Sequence, residues 1–289
     1  MSKTRIKAID AVQEAEKIAF APFVFQAVVS LRKLGIFNLI FQNRKKGGIG
    51  LEDISKKLNI STYGVGVLLE IAESYNIVDK DEAGNFELTT IGYFLAFDKT
   101  VDVNINFTQE VCYKGLFHLT EAIETGKPAG LKELGNWKTI YEGLSVLQPD
   151  VQKAWFEFDH HYSDEVFQEA MEFVFRNNPK TIYDVGANTG KFAISGSKYS
   201  DSVSIKMIDL PGQLKIARGN VAAAGFADRV SHYEIDWLSK NPQLPKGADA
   251  IWMSQFLDCF SEDEILTILK ACAAAVNDHG EVLIMETFT

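Results

Sequence analysis

The sequence predicts an α/β protein in which a mostly helical N-terminal part precedes a doubly wound parallel sheet. Two observations predict this class. After Thr181, strand-like and helical segments alternate, which is typical of parallel sheets covered by helices. Before that residue, apolar side chains recur at helical spacing, and a turn-rich hairpin follows two short helices. The 289 residues are enough for about two domains.

The composition predicts a folded protein of a reducing compartment. Hydrophobic residues make up 46% of the chain, which excludes a mainly disordered protein. The formal net charge is −10, so the surface repels nucleic acid. The three cysteines Cys112, Cys259 and Cys272 have no metal-ligand spacing, and their odd number disfavours a disulfide framework. We therefore expect a cytoplasmic protein that holds no metal and binds no nucleic acid.

The first helix is predicted to contain residues 18–31. Pro22, Gln26 and Ser30 interrupt this apolar stretch, which is too short to span a bilayer, so neither a membrane span nor an export signal is expected. Its apolar stripe consists of Phe20, Phe23, Val24, Ala27, Val28 and Leu31. The other faces of the helix are also apolar and need cover, which a partner subunit could supply.

Residues 51–88 have the pattern of a winged helix. Helices are predicted at 51–58 and 61–75, and a turn-rich connection joins two short strands. The second helix contains no Lys or Arg and carries Glu70 and Glu73, which would repel phosphates. The pattern therefore favours a packing and dimerisation module over a DNA-binding one.

A mostly helical connector is predicted next, followed by five strands. The connector runs from 103 to 175 with a break at 126–130. The strands are predicted at 181–185, 204–209, 230–234, 248–253 and 281–286. Helices are predicted between them at 191–199, 212–224 and 262–276, the last with a capping box of Ser261 and Glu264. Such sheets bind ligands at the carboxyl ends of their strands, where the strand order reverses.

The first three of these strands end in residues suited to a nucleoside. The segment DVGANTG at 184–190 opens a helix, and its glycine spacing differs from that of dinucleotide-binding proteins. Asp209 ends the second strand, where a carboxylate can accept both ribose hydroxyls. Asp236 follows the third strand beside Trp237, a pair that suits an exocyclic amine and a flat base. Together these positions predict a ligand with a ribose, an adenine and a zwitterionic tail.

These segments resemble those of the S-adenosylmethionine-dependent small-molecule O-methyltransferases of plants and bacteria, the caffeate and hydroxyindole type. The matching segments are the glycine loop at 184–190, IDLP at 208–211, Asp236 with Trp237, and ADAIWMSQFLDCFSEDE at 248–264. The segment FHLTEAIETGKP at 117–128 and the winged helix look like the connector and dimerisation domain of that family.

The resemblance implies an organisation and a cofactor. It implies a winged-helix dimerisation domain at 1–100, a helical connector lining the pocket at 101–178, and a class I Rossmann-like domain that binds S-adenosylmethionine at 179–289. The implied cofactor-binding residues are Asp184, Gly186, Ala187, Gly190, Asp209, Leu210, Asp236, Trp237 and Ser254. A homodimer would methylate an oxygen of a small aromatic acceptor, and nitrogen or carbon acceptors stay open.

Two positions depart from the family pattern. Asp258 takes the place of the histidine that serves as general base, and Phe260 takes the place of a nearby tryptophan. A base of near-neutral pKa suits proton removal from a phenol, and an aspartate needs burial to reach such a pKa. Asp258 could act as a weaker base or orient the substrate. Otherwise the base could be His160 or His161 from the connector.

The number of strands leaves several alternatives open. The sheet of this methyltransferase class usually has seven strands, whereas this chain stops just after its fifth, at Thr289. We expect a fragment of a longer protein, strands supplied from elsewhere, or a pseudoenzyme that binds the cofactor without turnover. An NAD-dependent oxidoreductase is disfavoured by the glycine spacing. A DNA-binding regulator is disfavoured by the acidic second helix.

Overall fold

The computed structural model describes residues 7–164 and 166–286. Internal contacts divide the chain into two compact units, Met1–Gln109 and Glu110–Thr289. The three-part division into 1–100, 101–178 and 179–289 stays a prediction. The chain end predicted after the fifth strand falls at 287–289, outside the described residues.

The N-terminal unit is mostly helical and contains two helices followed by a hairpin, as predicted. Its helices are α1 (Ala8–Lys33), α2 (Ile36–Asn43), α3 (Leu51–Leu58), α4 (Thr62–Ser74), α5 (Thr90–Phe97) and α6 (Lys99–Phe107). Its strands are β1 (Ile49–Gly50), β2 (Val78–Lys80) and β3 (Asn85–Leu88), which form an antiparallel sheet in the order β1-β3-β2. Ser61 caps α4 by accepting a hydrogen bond from the Gly64 amide at 3.1 Å.

The apolar stripe predicted for α1 is only partly buried. Ala27, Val28 and Leu31 belong to the core of the unit, whereas Phe20 and Phe23 are 55% and 65% exposed. Exposed aromatic side chains on one helix are typical of a surface that another molecule covers.

Among the described residues, no single helix has the length and apolar composition of a membrane span. The bent helix pair Ala8–Lys33 and Ile36–Lys46 meets the test by length and composition alone.

The residues that precede the sheet are less regular than predicted. They contain α7 (Leu119–Thr125), α8 (Pro149–Asp164) and α9 (Phe167–Val174). Between α7 and α8 the chain forms 3-10 turns at Ala129–Glu133, Ile140–Glu142 and Leu144–Val146, so the break predicted at 126–130 extends to α8. Repeated glycines and Pro128 in this stretch disfavour a continuous α-helix.

The C-terminal sheet is parallel and doubly wound, as predicted. Its strands are β4 (Thr181–Val185), β5 (Ser204–Asp209), β6 (Val230–Glu234), β7 (Ala248–Ser254) and β8 (Val276–Met285). Its helices are α10 (Lys191–Tyr199), α11 (Pro211–Ala223) and α12 (Glu262–Ala275). The strand order is β6-β5-β4-β7-β8, and every neighbouring pair is parallel. The chain therefore crosses from one half of the sheet to the other beside β4.

The strand β8 begins earlier than the sequence predicts. Residues 277–280 lie between the last predicted helix and the fifth predicted strand, yet they belong to β8, which pairs with β7 through a register shift between Ala248 and Ala250. Gly280 permits this approach, because a Cβ there would lie 2.8 Å from the carbonyl oxygen of Asp249. The last helix consequently ends at Ala275 rather than at 276.

Both faces of the sheet are buried. Alternate residues of β4 and β5 contribute to two separate cores, with Ile182 and Ile205 in one and Tyr183 and Ile208 in the other. This alternation follows from the two-residue period of a strand. It explains why these strands carry apolar residues on both of their faces.

Candidate functional site

A cavity of about 270 Å³ opens at the carboxyl ends of β4, β5 and β7. These ends meet where the strand order reverses, which is where doubly wound sheets bind ligands. The turn after β4, the end of β5, the segment after β7 and one face of α8 line the cavity. Its volume is close to the lower end of the roughly 300–1,000 Å³ that is usual for small-molecule sites.

The turn after β4 contains two glycines in the left-handed conformation. Gly186 has a φ of 74° and lines the cavity beside Ala187, and a Cβ on Gly186 would lie 2.4 Å from Cδ2 of Phe256. Gly190 has a φ of 80° and precedes α10, outside the described cavity lining. A Cβ on Gly190 would lie 3.2 Å from the Ala217 carbonyl oxygen. Gly186 thus shapes the cavity, and Gly190 lets α10 and α11 pack closely.

Asp184 presents a buried carboxylate to the cavity. The residue is 3% exposed, and its Oδ2 atom has no hydrogen-bond partner among the described residues. Burial and the charge of Asp209 raise the pKa of Asp184 to about 8. An unpaired buried acceptor is costly. Asp184 therefore suits a ligand that donates a hydrogen bond or carries a positive charge at this point.

Asp209 fixes the glycine turn to the end of β5. Its carboxylate accepts hydrogen bonds from the amide of Asn188 at 2.9 Å and from the amide of Leu210 at 2.7 Å. Burial raises the pKa of Asp209 to about 6, although both hydrogen bonds act in the opposite direction. Gln213 supports the turn by donating to Oδ1 of Asn188 at 2.9 Å. Asn188 and Gln213 line the cavity and were missed by the sequence reasoning.

Only one of the two predicted histidines lines the cavity. Nε2 of His160 lies 2.9 Å from Oγ1 of Thr189, so α8 is tied to the glycine turn. The Thr189 carbonyl in turn accepts a hydrogen bond from Asn220 at 2.9 Å. His161 is not among the described residues that line the cavity, and its ring meets Tyr162 edge-on at a centroid distance of 5.1 Å.

Besides Asp184 and Asp209, two carboxylates face the cavity from α8 and from the segment after β7. Asp258 lines it from the segment after β7 and is exposed to solvent, and the predicted Ser254 lines it from the last position of β7. Asp159 lines it from α8, and sequence reasoning missed this residue. Burial and the charge of Asp258 raise the pKa of Asp159 to about 7, and a hydrogen bond from Trp155 acts against this shift. The one feature of the sequence that could have pointed to Asp159 as a cavity residue is its position next to the predicted candidate His160.

Glu286 and Cys259 complete the titratable lining near Asp258. The Glu286 carboxylate accepts hydrogen bonds from the amide of Phe256 at 2.9 Å and from the amide of Leu257 at 2.8 Å. Burial raises the pKa of Glu286. Burial and the charge of Asp258 also raise the pKa of the Cys259 thiol, so this sulfur stays protonated and is a poor nucleophile. No group of three or more potential metal ligands occurs among the described residues.

Besides Gly190 and His161, three more predicted residues lie outside the described lining of the cavity. Asp236 is exposed and accepts a hydrogen bond from the Leu238 amide at 2.9 Å. Trp237 is buried in a core with its ring 6.3 Å from that of Phe256, and its indole Nε1 has no partner among the described residues. Leu210 packs against the same core. Their roles at the adenine stay predictions.

Comparison with known families identifies the class of enzyme. A Dimerisation2-like domain matches residues 13–86, and the O-methyltransferase domain matches residues 118–289, more than half of the chain. The chain belongs to the O-methyltransferase family. The predicted α/β fold and methyltransferase class are thereby confirmed, and the methyl donor of this O-methyltransferase is S-adenosylmethionine, as the resemblance implied.

Several distant relatives match most of the chain. The chain is 23% identical to phenazine O-methyltransferase PhzM of Lysobacter antibioticus over 91% of its length and 75% of that relative. It is 23% identical to 3-hydroxy-5-methyl-1-naphthoate 3-O-methyltransferase of Streptomyces sahachiroi over 86% of its length and 70% of the relative. Its fold matches the crystal structure of NcsB1 from neocarzinostatin biosynthesis, in complex with S-adenosylmethionine and 2-hydroxy-5-methyl naphthoic acid. That match has a TM-score of 0.71 at 20% identity and covers 90% of this chain and 78% of NcsB1.

The glycine turn can be tested with one added methyl group. Gly186→Ala is expected to lower the free energy of unfolding by roughly 1–3 kcal/mol, because its φ is left-handed and the new Cβ meets Phe256. Urea unfolding of the purified variant measures this loss. Gly219→Ala is the matched control, since a Cβ there meets no atom within 4 Å, and its stability should stay equal or rise by up to about 1 kcal/mol. Equal stability of the two variants would contradict the role given to Gly186.

Proposed function

We propose that this O-methyltransferase methylates a hydroxyl oxygen of a small aromatic acceptor in the cavity at the ends of β4, β5 and β7, and that it acts as a homodimer. One observation carries the proposal. The same cavity contains a buried, unpartnered carboxylate oxygen on Asp184, a glycine turn and several aromatic side chains. Membership of the family indicates the reaction, and the cavity lining suggests S-adenosylmethionine and an aromatic acceptor as its two substrates.

The polar lining fits S-adenosylmethionine. When bound, this cofactor supplies an electrophilic methyl group on a cationic sulfur. Asp184 would accept a hydrogen bond from its ammonium group, which would lower the pKa of that carboxyl again. Asp209 would accept the ribose hydroxyls with the lone pairs that the Asn188 and Leu210 amides leave free. Gly186 would let the methionine part approach the backbone closely.

The remaining cofactor contacts are also part of the proposal. Ala187 and Ser254 line the cavity and would form its wall, while Gly190 keeps the helix after the turn in place. Asp236 and Trp237 remain the candidates for the adenine, next to the end of β6. A structure with S-adenosylhomocysteine bound would decide whether Trp237 reaches the base.

The aromatic lining favours a flat acceptor. Tyr141, Trp155, Phe158 and Phe256 all line the cavity, and aromatic rings pack well against one another in offset or edge-to-face arrangements. Two relatives are named for a phenazine and a naphthoate substrate. The protein would align the acceptor oxygen with the methyl group and exclude water, which lowers the barrier by fixing the geometry of reaction.

Removal of the acceptor proton requires a base in the same cavity. Of the candidates predicted from sequence, Asp258 and His160 line the cavity, and His161 is not part of the described lining. His160 is bound to Thr189, so it would first of all position the glycine turn. Asp258 stands where the family has its histidine and is the better candidate of the three.

The homodimer is proposed from the surface of α1. The Dimerisation2-like match at 13–86 includes the exposed Phe20 and Phe23, whose apolar area would be removed from water by a second copy of the chain. Burial of such area stabilises association by about 25 cal/mol per Å² before the cost of association is subtracted.

Cofactor binding is tested by calorimetric titration with S-adenosylhomocysteine. The wild-type chain is expected to bind, and Asp209→Asn to bind about 10- to 100-fold more weakly, because hydrogen bonds to a charged group contribute about 1.5–3 kcal/mol. The control is Asp228→Asn, which changes an exposed aspartate in a turn and should bind like wild type. An absence of heat with wild type, or unchanged affinity in the Asp209 variant, would reject the assignment.

The acceptor class is tested with S-adenosylmethionine labelled in its methyl group. Hydroxylated naphthoates and phenazines are expected to yield methyl ethers detectable by mass spectrometry, while the same rings with no hydroxyl group should give no product. Transfer to carbon or nitrogen alone would contradict the oxygen assignment. Binding of S-adenosylhomocysteine without any product would instead support a protein that binds the cofactor without turnover.

The dimer is tested by placing a charge on the exposed face of α1. Phe23→Asp is expected to shift the protein from dimer to monomer in light scattering after size exclusion, because a buried, unpaired carboxylate is strongly unfavourable at an apolar interface. Tyr63→Asp alters an exposed aromatic side chain on α4 and serves as control. A wild-type chain that is monomeric at micromolar concentration would overturn the proposal.

A further inference from the structure

We propose that Asp159 is the general base of the methyl transfer and that Asp258 faces it as the second carboxylate of a proton-sharing pair. This inference rests on the proposed function, since it assigns the proton step at the same site. It moves the base from the segment after β7, where the family has its histidine, to the helix α8.

The geometry brings the two carboxylates into one cavity from separate elements. Asp159 comes from α8 and Asp258 from the 3-10 turn Leu257–Cys259, and both line the cavity. Asp159 is partly buried and accepts a hydrogen bond from the side chain of Trp155, whereas Asp258 is exposed. The side chain of Trp155 also lines the cavity, so the Asp159 carboxylate is held against an aromatic wall.

The electrostatics make Asp159 the better base of the pair. Burial and the charge of Asp258 raise the pKa of Asp159 to about 7, the range in which a general base works best near neutral pH. The nearby charge of Asp258 therefore favours the protonated form of Asp159 over part of the pH range. Asp159, the more buried of the two residues, is therefore the one that exchanges the proton with the acceptor.

Other titratable groups also face this part of the cavity. Cys259 and Glu286 lie near Asp258, and His160 is on α8 beside Asp159. The end of β4, the start of α10 and the end of β5 contribute Asp184, Lys191 and Asp209. The His160 imidazole is hydrogen-bonded to Thr189, so it positions the glycine turn rather than accepting the proton of the acceptor. Cys259 stays protonated because burial raises its pKa.

The proton step balances without any further reactant. The acceptor oxygen forms a bond to the methyl carbon as the carbon–sulfur bond breaks, and the bonding pair goes to sulfur. The hydroxyl proton of the acceptor passes to the Asp159 carboxylate, and from there through the pair to solvent at the exposed Asp258. The products are the methyl ether, S-adenosylhomocysteine and one proton.

The test compares Asp159→Asn, Asp258→Asn and the control Asp228→Asn. With a hydroxylated naphthoate or phenazine that wild type methylates, kcat/KM of wild type should rise tenfold per pH unit up to about pH 7 and then level off. Asp159→Asn should lose at least about 100-fold and should lack this rise. Asp258→Asn should keep most activity, with the rise moved to lower pH because the repulsion is removed. Asp159→Glu should restore part of the rate and the pH dependence.

Stability provides a readout that needs no acceptor. A carboxyl whose folded-state pKa lies above its unfolded value of about 4 makes the protein less stable as the pH rises from about 4 to its folded-state pKa. Asp184 and Asp159 both contribute to this loss in wild type. The fall in melting temperature between pH 5 and pH 8 should therefore be smaller in Asp159→Asn than in wild type and in Asp228→Asn.

The outcomes separate this inference from the proposed function. If wild type is active, a kcat/KM of Asp159→Asn within twofold of wild type would overturn the assignment of Asp159. Loss of all activity in Asp258→Asn but not in Asp159→Asn would overturn it as well. An equal fall in melting temperature between pH 5 and pH 8 in Asp159→Asn and in wild type would contradict the raised proton affinity of Asp159. That result can be obtained even if no acceptor is methylated. Failure of the wild-type chain to bind S-adenosylhomocysteine would instead reject the proposed function.

Discussion

The hydrogen bonds from the Asn188 and Leu210 amides to the buried Asp209 carboxylate are the constraint on which the site depends. They join the turn after β4 to the end of β5, at the point where the sheet reverses its strand order. The turn can close in this way because Gly186 adopts a left-handed conformation without a side chain. The carboxylate therefore fixes the backbone that forms the cavity and also presents its remaining lone pairs to a ligand.

The cavity contains more acidic than basic side chains, and this imbalance favours the cationic ligand that we propose for it. Asp184 and Asp209 are both buried, and each carboxylate is disfavoured in its charged form by burial. A cationic donor such as S-adenosylmethionine compensates for that cost, whereas an anionic dinucleotide would add to it. On the side of α8, Asp159 and Asp258 repeat the same principle, because one carboxylate raises the proton affinity of the other.

Much of the fold could be predicted because the apolar periodicity and turn residues of most segments agree with the helices and strands that tertiary packing requires there. The bounds of β4, β5, β6, α3 and α10 agree with those read from the sequence. The failures have physical causes. Residues 277–280 precede the predicted fifth strand, but pairing with β7 extends β8 through them. The stretch before α8 was expected to be more helical, but its glycines and Pro128 divide it into short turns.

The sequence by itself determined the family, the parallel sheet and the carboxylates at the ends of β4 and β5, because strand ends and glycine turns are local features with fixed spacing. The tertiary structure decided which side chains share the cavity. It placed Asp159 and Glu286 in the lining and left His161 and Trp237 outside the described lining. The face of α8 that lines the cavity depends on packing between elements far apart in the chain, and no local pattern predicts which face that is.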